Sequence, residues 1–258
     1  MFSIYFKILL RHFFNNRNYN IFKCLDVLLD VKWSIEDFVY GATDGSVTTF
    51  AIVTGAFGAS LPVAVIIILG FANLFADGFS MSIGNYLSVK TRREYIEKER
   101  KKEEWEIDNL AEQEKQEIKE IYEKKGFKDA LLDDIVKIIT SRRKIWLDTM
   151  MKEELGLIDD KKKPLDAAIT TFVAFNLLGL VPLVPFVISY ILNVAILSTN
   201  SALIYSIIFT GISFFIIGSI KGRIVNKSVI SSGFYTLLIG GMAAMVAYTV
   251  GYILGLYL

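Results

Sequence analysis

Two acids, Asp44 and Asp77, stand in stretches of the chain otherwise stripped of charge. Holding a carboxylate in hydrocarbon costs roughly 2.5–3.5 kcal/mol or more, so acids inside apolar membrane segments point to an ion pathway. Asn73, Asp77, Met81 and Asn85 recur at every fourth residue and draw one polar line along a helix. That line must face protein or water, because lipid offers its polar groups no partner. A hairpin turning near Ser60 and Pro62 brings Asp44 and Asp77 to one depth, with the hydroxyl of Thr48 one turn from Asp44. Two carboxylates and a thioether suit a soft divalent cation. Carboxylates that gain protons as metal leaves would couple its movement to a proton gradient, with Asp44 the first ligand and proton carrier. The competing reading makes each Asp a neutral, hydrogen-bonded helix contact.

A second set of acids lies on a highly charged helical run. Glu103, Glu106, Glu114 and Glu117 fall within an arc of about 80° on a helix wheel. On a straight rod the pairs Glu103/Glu106 and Glu114/Glu117 are about 16 Å apart along the axis, so two separate ion sites are expected, each needing ligands from elsewhere. Met150, Met151, Glu153 and Glu154 offer thioethers beside carboxylates, a set better suited to Fe²⁺ or a similar transition metal than to Mg²⁺ or Ca²⁺. The alternative is a solvated, salt-bridged face with Met filling core gaps.

The elements that hold these residues follow from the segregation of charge. All 28 Lys and Arg fall in residues 7–32, 90–163 and 221–227, although 53% of the 258 residues are hydrophobic. Five apolar stretches, 38–59, 62–86, 166–192, 202–220 and 231–257, meet the roughly 20 residues needed to span a bilayer. The expected fold is therefore all-α and polytopic, with five transmembrane helices and a cytosolic three-helix insert between the second and third. The positive-inside rule puts the N-terminus and the insert in the cytosol.

The expected organisation is an amphipathic interfacial segment over 1–33, transmembrane helices 1–2 over 34–89, the insert over 90–163 and helices 3–5 over 164–258. The insert reads as a rod over 90–125 continuous with the second membrane helix, a break at Gly126, and helices over 129–141 and 143–155. Asn176, Gly179, Pro182 and Pro185 predict a kink in the third membrane helix. Gly41, Gly45, Gly55 and Gly58, with Gly251 and Gly255 as a GxxxG, predict close helix approach. The lone Cys24 rules out an intrachain disulfide, His12 is expected at the membrane interface, and a net charge of +1 gives no field for nucleic acid.

The run Asp44-Gly45-Ser46-Val47-Thr48-Thr49, the segment ADGFSMSIGNYLSVKTRREY from Ala76 to Tyr95, MMKEELGL from Met150 and PLDAAITTF from Pro164 together resemble the vacuolar iron transporter family. The resemblance runs from about residue 34 to the C-terminus. It implies a homodimer with the pathway at its two-fold interface that exchanges cytosolic Fe²⁺ for protons; carboxylate and thioether ligands discriminate first-row divalent ions poorly, so Mn²⁺ and other divalent transition metals are expected as further cargo. It also implies a vacuolar or other acidic-organelle membrane in a eukaryote, or the cell membrane in a prokaryote. Asp44 and Met81 match the family's pathway residues; Asp77 and Asn85 continue the same polar line. Glu103, Glu106, Glu114, Glu117, Met150, Met151 and Glu154 match its insert ligands. Many relatives carry Glu where this chain has Asn85, so one carboxylate is absent here.

The resemblance implies no enzyme and no resident cofactor; Fe²⁺ and protons are the cargo, and the lipid bilayer is the surrounding partner. Two other readings remain at this level. A metal sensor or scaffold would bind ions without flux. An intramembrane aspartyl protease would use paired membrane acids, but the flanks of Asp44 and Asp77 lack a GxGD pattern.

Overall fold

The computed structural model describes residues 31–158, 162–192 and 199–257. The interfacial segment expected over 1–33, with His12 and Cys24, lies almost wholly outside them. Among the described residues the chain is helical, without strands: α1 (Ile35–Gly58), α2 (Val63–Asn109), α3 (Ala111–Lys124), α4 (Asp129–Thr140), α5 (Arg143–Glu153), α6 (Pro164–Gly179), α7 (Val184–Leu192), α8 (Thr199–Ile224) and α9 (Val229–Tyr257). They form two compact units. One comprises the described residues up to Tyr86 and from Pro164 onward; the other is Leu87–Lys163.

In the first unit α1 is the central element. Ser34 caps it, accepting from the Asp37 backbone N–H at 3.4 Å, and Glu36 and Asp37 place negative charge at its positive end. The chain turns through Ser60, at φ 55°, and Pro62 leads into α2. The hairpin expected near Ser60 and Pro62 is therefore present. Glycines set how near α1 lies to its neighbours. A Cβ on Gly45 would collide with the backbone of Phe175 in α6, and one on Gly251 of α9 with the backbone of Gly55. The GxxxG of α9 thus packs within the chain, against Gly55 of α1 and Ala59 just past it. Val53, Ala56, Ile66, Leu74, Phe175, Leu183, Phe186 and Ala202 form the largest buried cluster of this unit.

Three helices, α2, α8 and α9, are long and apolar enough to cross a membrane. A fourth span is added if α6 and α7, bent by 54°, count as one. The bend falls at the predicted Gly179–Pro185 step, and a carbonyl it frees finds a partner: Ser206 donates to Pro182 O at 2.7 Å. The expected first span, α1, is helical but falls short by this measure. Its Asp, Thr, Ser and Gly content lowers its hydropathy, yet eleven of its residues are buried, so its polar groups meet protein. By contrast the apolar window of α9 is only 11% buried, leaving a broad apolar surface that a bilayer would cover. The protein is a multi-pass membrane protein.

In the second unit, Ile96, Ile107, Ile118, Ile139, Trp146, Leu147, Met150 and Met151 make the core. Ion pairs at its surface link the helices: Arg143 reaches Asp108 at 2.7 Å, Arg100 reaches Asp148 at 2.9 Å and Lys119 reaches Asp133 at 3.0 Å. The predicted continuity of the second membrane helix into the insert is present, since α2 runs unbroken to Asn109. The expected single rod to Lys125 is not. Leu110, at φ −125° and ψ 31°, interrupts it. The Asn109 amide turns back to donate to Trp105 O at 2.8 Å, and α3 starts in a new direction. Gly126, at φ 96°, ends the helical run as expected.

Candidate metal centre and membrane pathway

The break at Leu110 remakes the glutamate site. On a straight helix Glu103 and Glu114 would be about 16 Å apart in rise. Instead, carboxylate oxygens of Glu103, Glu106 and Glu114 all lie within 4.8 Å of one another. A second group, Glu114, Glu117 and Glu154, meets the same limit. The expectation of two sites held apart by helix length is corrected: the two groups share Glu114, and Glu154, just past α5, completes the second. A polar atom of Glu103 and one of Glu114 are buried without a hydrogen-bond partner among the described residues. A buried carboxylate in that condition calls for a proton or a cation.

The electrostatics agree. Burial first, then its hydrogen bond to Glu114 and the charges of Glu114, Glu154 and Glu106, raise the Glu103 carboxyl to about 8. Burial also raises Glu114, with the charges of Glu117 and Glu106 adding to it, although the hydrogen bond from Glu103 works the other way. Glu154, on the exposed side of the group, is raised by partial desolvation of its carboxyl and by the charges of Glu117, Glu114 and Glu106. Four or more acids this close cannot all ionise unaided. Lys102, 3.3 Å from Glu106, supplies the nearest ion pair. Glu153, offered by the sequence beside Glu154, points elsewhere: it pairs with Lys125 and with Lys152 at 3.3 Å, and the Lys125 hydrogen bond holds its carboxyl below the usual range. Met150 and Met151 are buried in the insert core, on the turn before Glu154.

In the other unit Asp44 is half-buried on α1 and Asp77 exposed on α2, and the two are close enough for their charges to interact. The Thr48 hydroxyl donates to Asp44 O at 2.8 Å, which holds it one turn from Asp44 and leaves its oxygen lone pairs unused by that bond. Met81 is partly buried against the Leu74–Phe175 cluster. Asn85 does not stand open at the end of the line. Its amide donates to Asp37 Oδ1 at 2.9 Å and Thr171 Oγ1 at 2.7 Å, tying α1, α2 and α6 together. Asp37, 5% exposed, is the polar residue that the sequence reading passed over. It sits just outside the apolar stretch beginning at 38, but its spacing of seven residues from Asp44 puts both on one face of α1.

Residues 35–252 match the family model described as the VIT family. The chain is 36% identical over 226 residues to the vacuolar iron transporter of Toxoplasma gondii, covering 86% of this chain and 74% of that protein. It is 34% identical to the vacuolar iron transporter of Plasmodium falciparum, over 86% of this chain and 83% of that protein. Identity to vacuolar iron transporter 1 of Tulipa gesneriana is 33%, over 83% of this chain and 84% of that one.

Proposed function

The chain belongs to the VIT family, whose members are transporters rather than enzymes, and on that premise we propose that it is a proton-coupled antiporter carrying Fe²⁺ out of the cytosol. The observation that carries this reading is that Asp44 on α1 and Asp77 on α2, one turn before Met81, are near enough for their charges to interact, in segments otherwise free of charge. Asp44, Asp77 and the Met81 thioether bind the ion in transit, and the carboxylates take protons as it leaves. Such ligands discriminate poorly among first-row divalent ions, so Mn²⁺ is carried too.

Five helices cross the membrane in this reading, α1 among them and α6–α7 as one broken span. The Lys- and Arg-rich insert and the N-terminus face the cytosol. The insert, residues 90–163, collects ions on Glu103, Glu106, Glu114, Glu117 and Glu154, with Met150 and Met151 lending sulfur, before they enter the membrane part. Asn85 lines the cytosolic end of the route and holds Asp37 there. The receiving compartment is a vacuole or similar acidic organelle, by the names of the relatives.

A second copy of the chain completes the route. Asp77 lies among Phe75, Ala76, Phe79 and Ser80, all exposed in the single chain. An acid on that surface is costly against lipid, and a two-fold partner would cover it. The test is iron uptake into proteoliposomes across a pH step, with Mn²⁺, Co²⁺ and Zn²⁺ as competitors. Uptake driven by an acidic lumen and reduced by Mn²⁺ supports the reading; binding without flux would make the protein a sensor or scaffold.

A further inference from the structure

Helix α1 has a second polar face, turned away from Asp44. Ser46 and Thr49 lie about 140–160° around the helix from that acid and are completely buried. On α8, Ser206, Thr210 and Ser213 follow at i, i+4 and i+7 along its buried face. The two helices pack on each other, with Phe50 of α1 edge-on to Phe214 of α8 at 6.4 Å between ring centres. Ala42 and Ile217 share an apolar cluster at one end of this seam, and Val53 and Ala202 share another at the other end. Helix register sets Ser46 and Thr49 against Thr210 and Ser213 between those two clusters.

Ser and Thr in helices usually return their hydroxyl to the carbonyl four residues back. Thr48 and Thr54 do so here, at 2.8 and 2.9 Å. The oxygens of Ser46, Thr49 and Thr210 are different: each is buried and has no hydrogen-bond partner among the described residues. Three unmet hydroxyls on facing helices are costly unless something small satisfies them, and a buried water needs two to four polar partners of this kind. We propose that ordered water bridges Ser46, Thr49 and Thr210 in the α1–α8 seam. Apolar clusters close the seam at both ends, so this water is a fixed part of the fold and not a stretch of the ion's route. The proposal is independent of the transport reading.

Thr210→Val tests it in the purified full-length protein, because Val keeps the shape and removes the hydroxyl. With water present, the variant strips the water of a partner and the melting temperature falls by about 2–4 °C. A dry seam would instead lose an unmet hydroxyl, and an unchanged or higher melting temperature would overturn the proposal. Radiolytic footprinting of the wild type gives a second readout that needs no variant. Phe214, beside the water, should be oxidised several-fold faster than the equally buried Phe175. Labelling of Phe214 no faster than of Phe175 would overturn the proposal as well.

Discussion

Glu103 turns metal capture by the insert into a proton-releasing reaction, and the magnitude follows from its position. With its carboxyl at about 8, about nine in ten copies hold a proton at pH 7 when no metal is bound. A divalent cation needs the carboxylate, so binding ejects that proton, and apparent affinity climbs with pH until the group is already ionised. One displaced proton with this value gives an increase of about 50-fold between pH 6 and pH 8. The sign for the fold runs the opposite way. A raised carboxyl stabilises the folded chain fully below its ordinary value near 4.5, and that contribution is lost as pH rises through about 8. The metal-free protein should therefore melt at lower temperature at pH 8 than at pH 6, and added metal should restore it. Calorimetric titration of the full-length protein with Fe²⁺, under argon and in two buffers of different ionisation heat, counts the protons. Glu103→Gln should weaken binding at pH 8 by at least about tenfold and flatten the pH dependence. An affinity in the wild type that does not change from pH 6 to pH 8, or a slope untouched by the variant, would refute the reasoning.

Neighbouring glutamates at the end of α5 should part company: Glu154→Gln should lower metal affinity by about tenfold or more, whereas Glu153→Gln, which removes only the pairings with Lys125 and Lys152, should leave the titration within about twofold. Gly251→Val should force α9 from α1 and lower the melting temperature by several degrees, at a cost of about 1–3 kcal/mol for overpacking, read by thermal unfolding in detergent. Met81→Leu keeps volume but removes the sulfur; Fe²⁺ uptake should fall with little change in melting temperature, and Mn²⁺ uptake, which depends more on oxygen ligands, should fall less.

Some of this was legible in the sequence because single residues dictate it. Ser60 and Pro62 turn the α1–α2 hairpin, Pro182 and Pro185 break α6 from α7, and Gly126 ends α3. The bend at Leu110 was not legible, since neither Gly nor Pro marks it. It is held by the packing of Ile107 and Ile118 in one core and by the Asn109 side chain, contacts that exist only after folding. That one unmarked bend changed two distant glutamate pairs into two groups sharing Glu114. The polarity of α1 was legible as composition but not as packing. Its Thr, Ser and Gly lower hydropathy, yet Gly41, Gly45, Gly55 and Gly58 are what permit it to lie against the backbones of α6 and α9. Asp37 escaped notice because it stands at a helix start, where acids are ordinary; its amide partner Asn85 is 48 residues away.

The central claim is that Asp44 carries both metal and proton, and simultaneous recording of Fe²⁺ uptake and luminal pH in proteoliposomes tests it most directly. Wild-type protein should take up Fe²⁺ while an acidic lumen turns alkaline in step, and Asp44→Asn should abolish both signals while binding of Fe²⁺ to the insert persists. Iron flux without luminal alkalinisation in the wild type, or undiminished coupled flux in Asp44→Asn, would contradict the account.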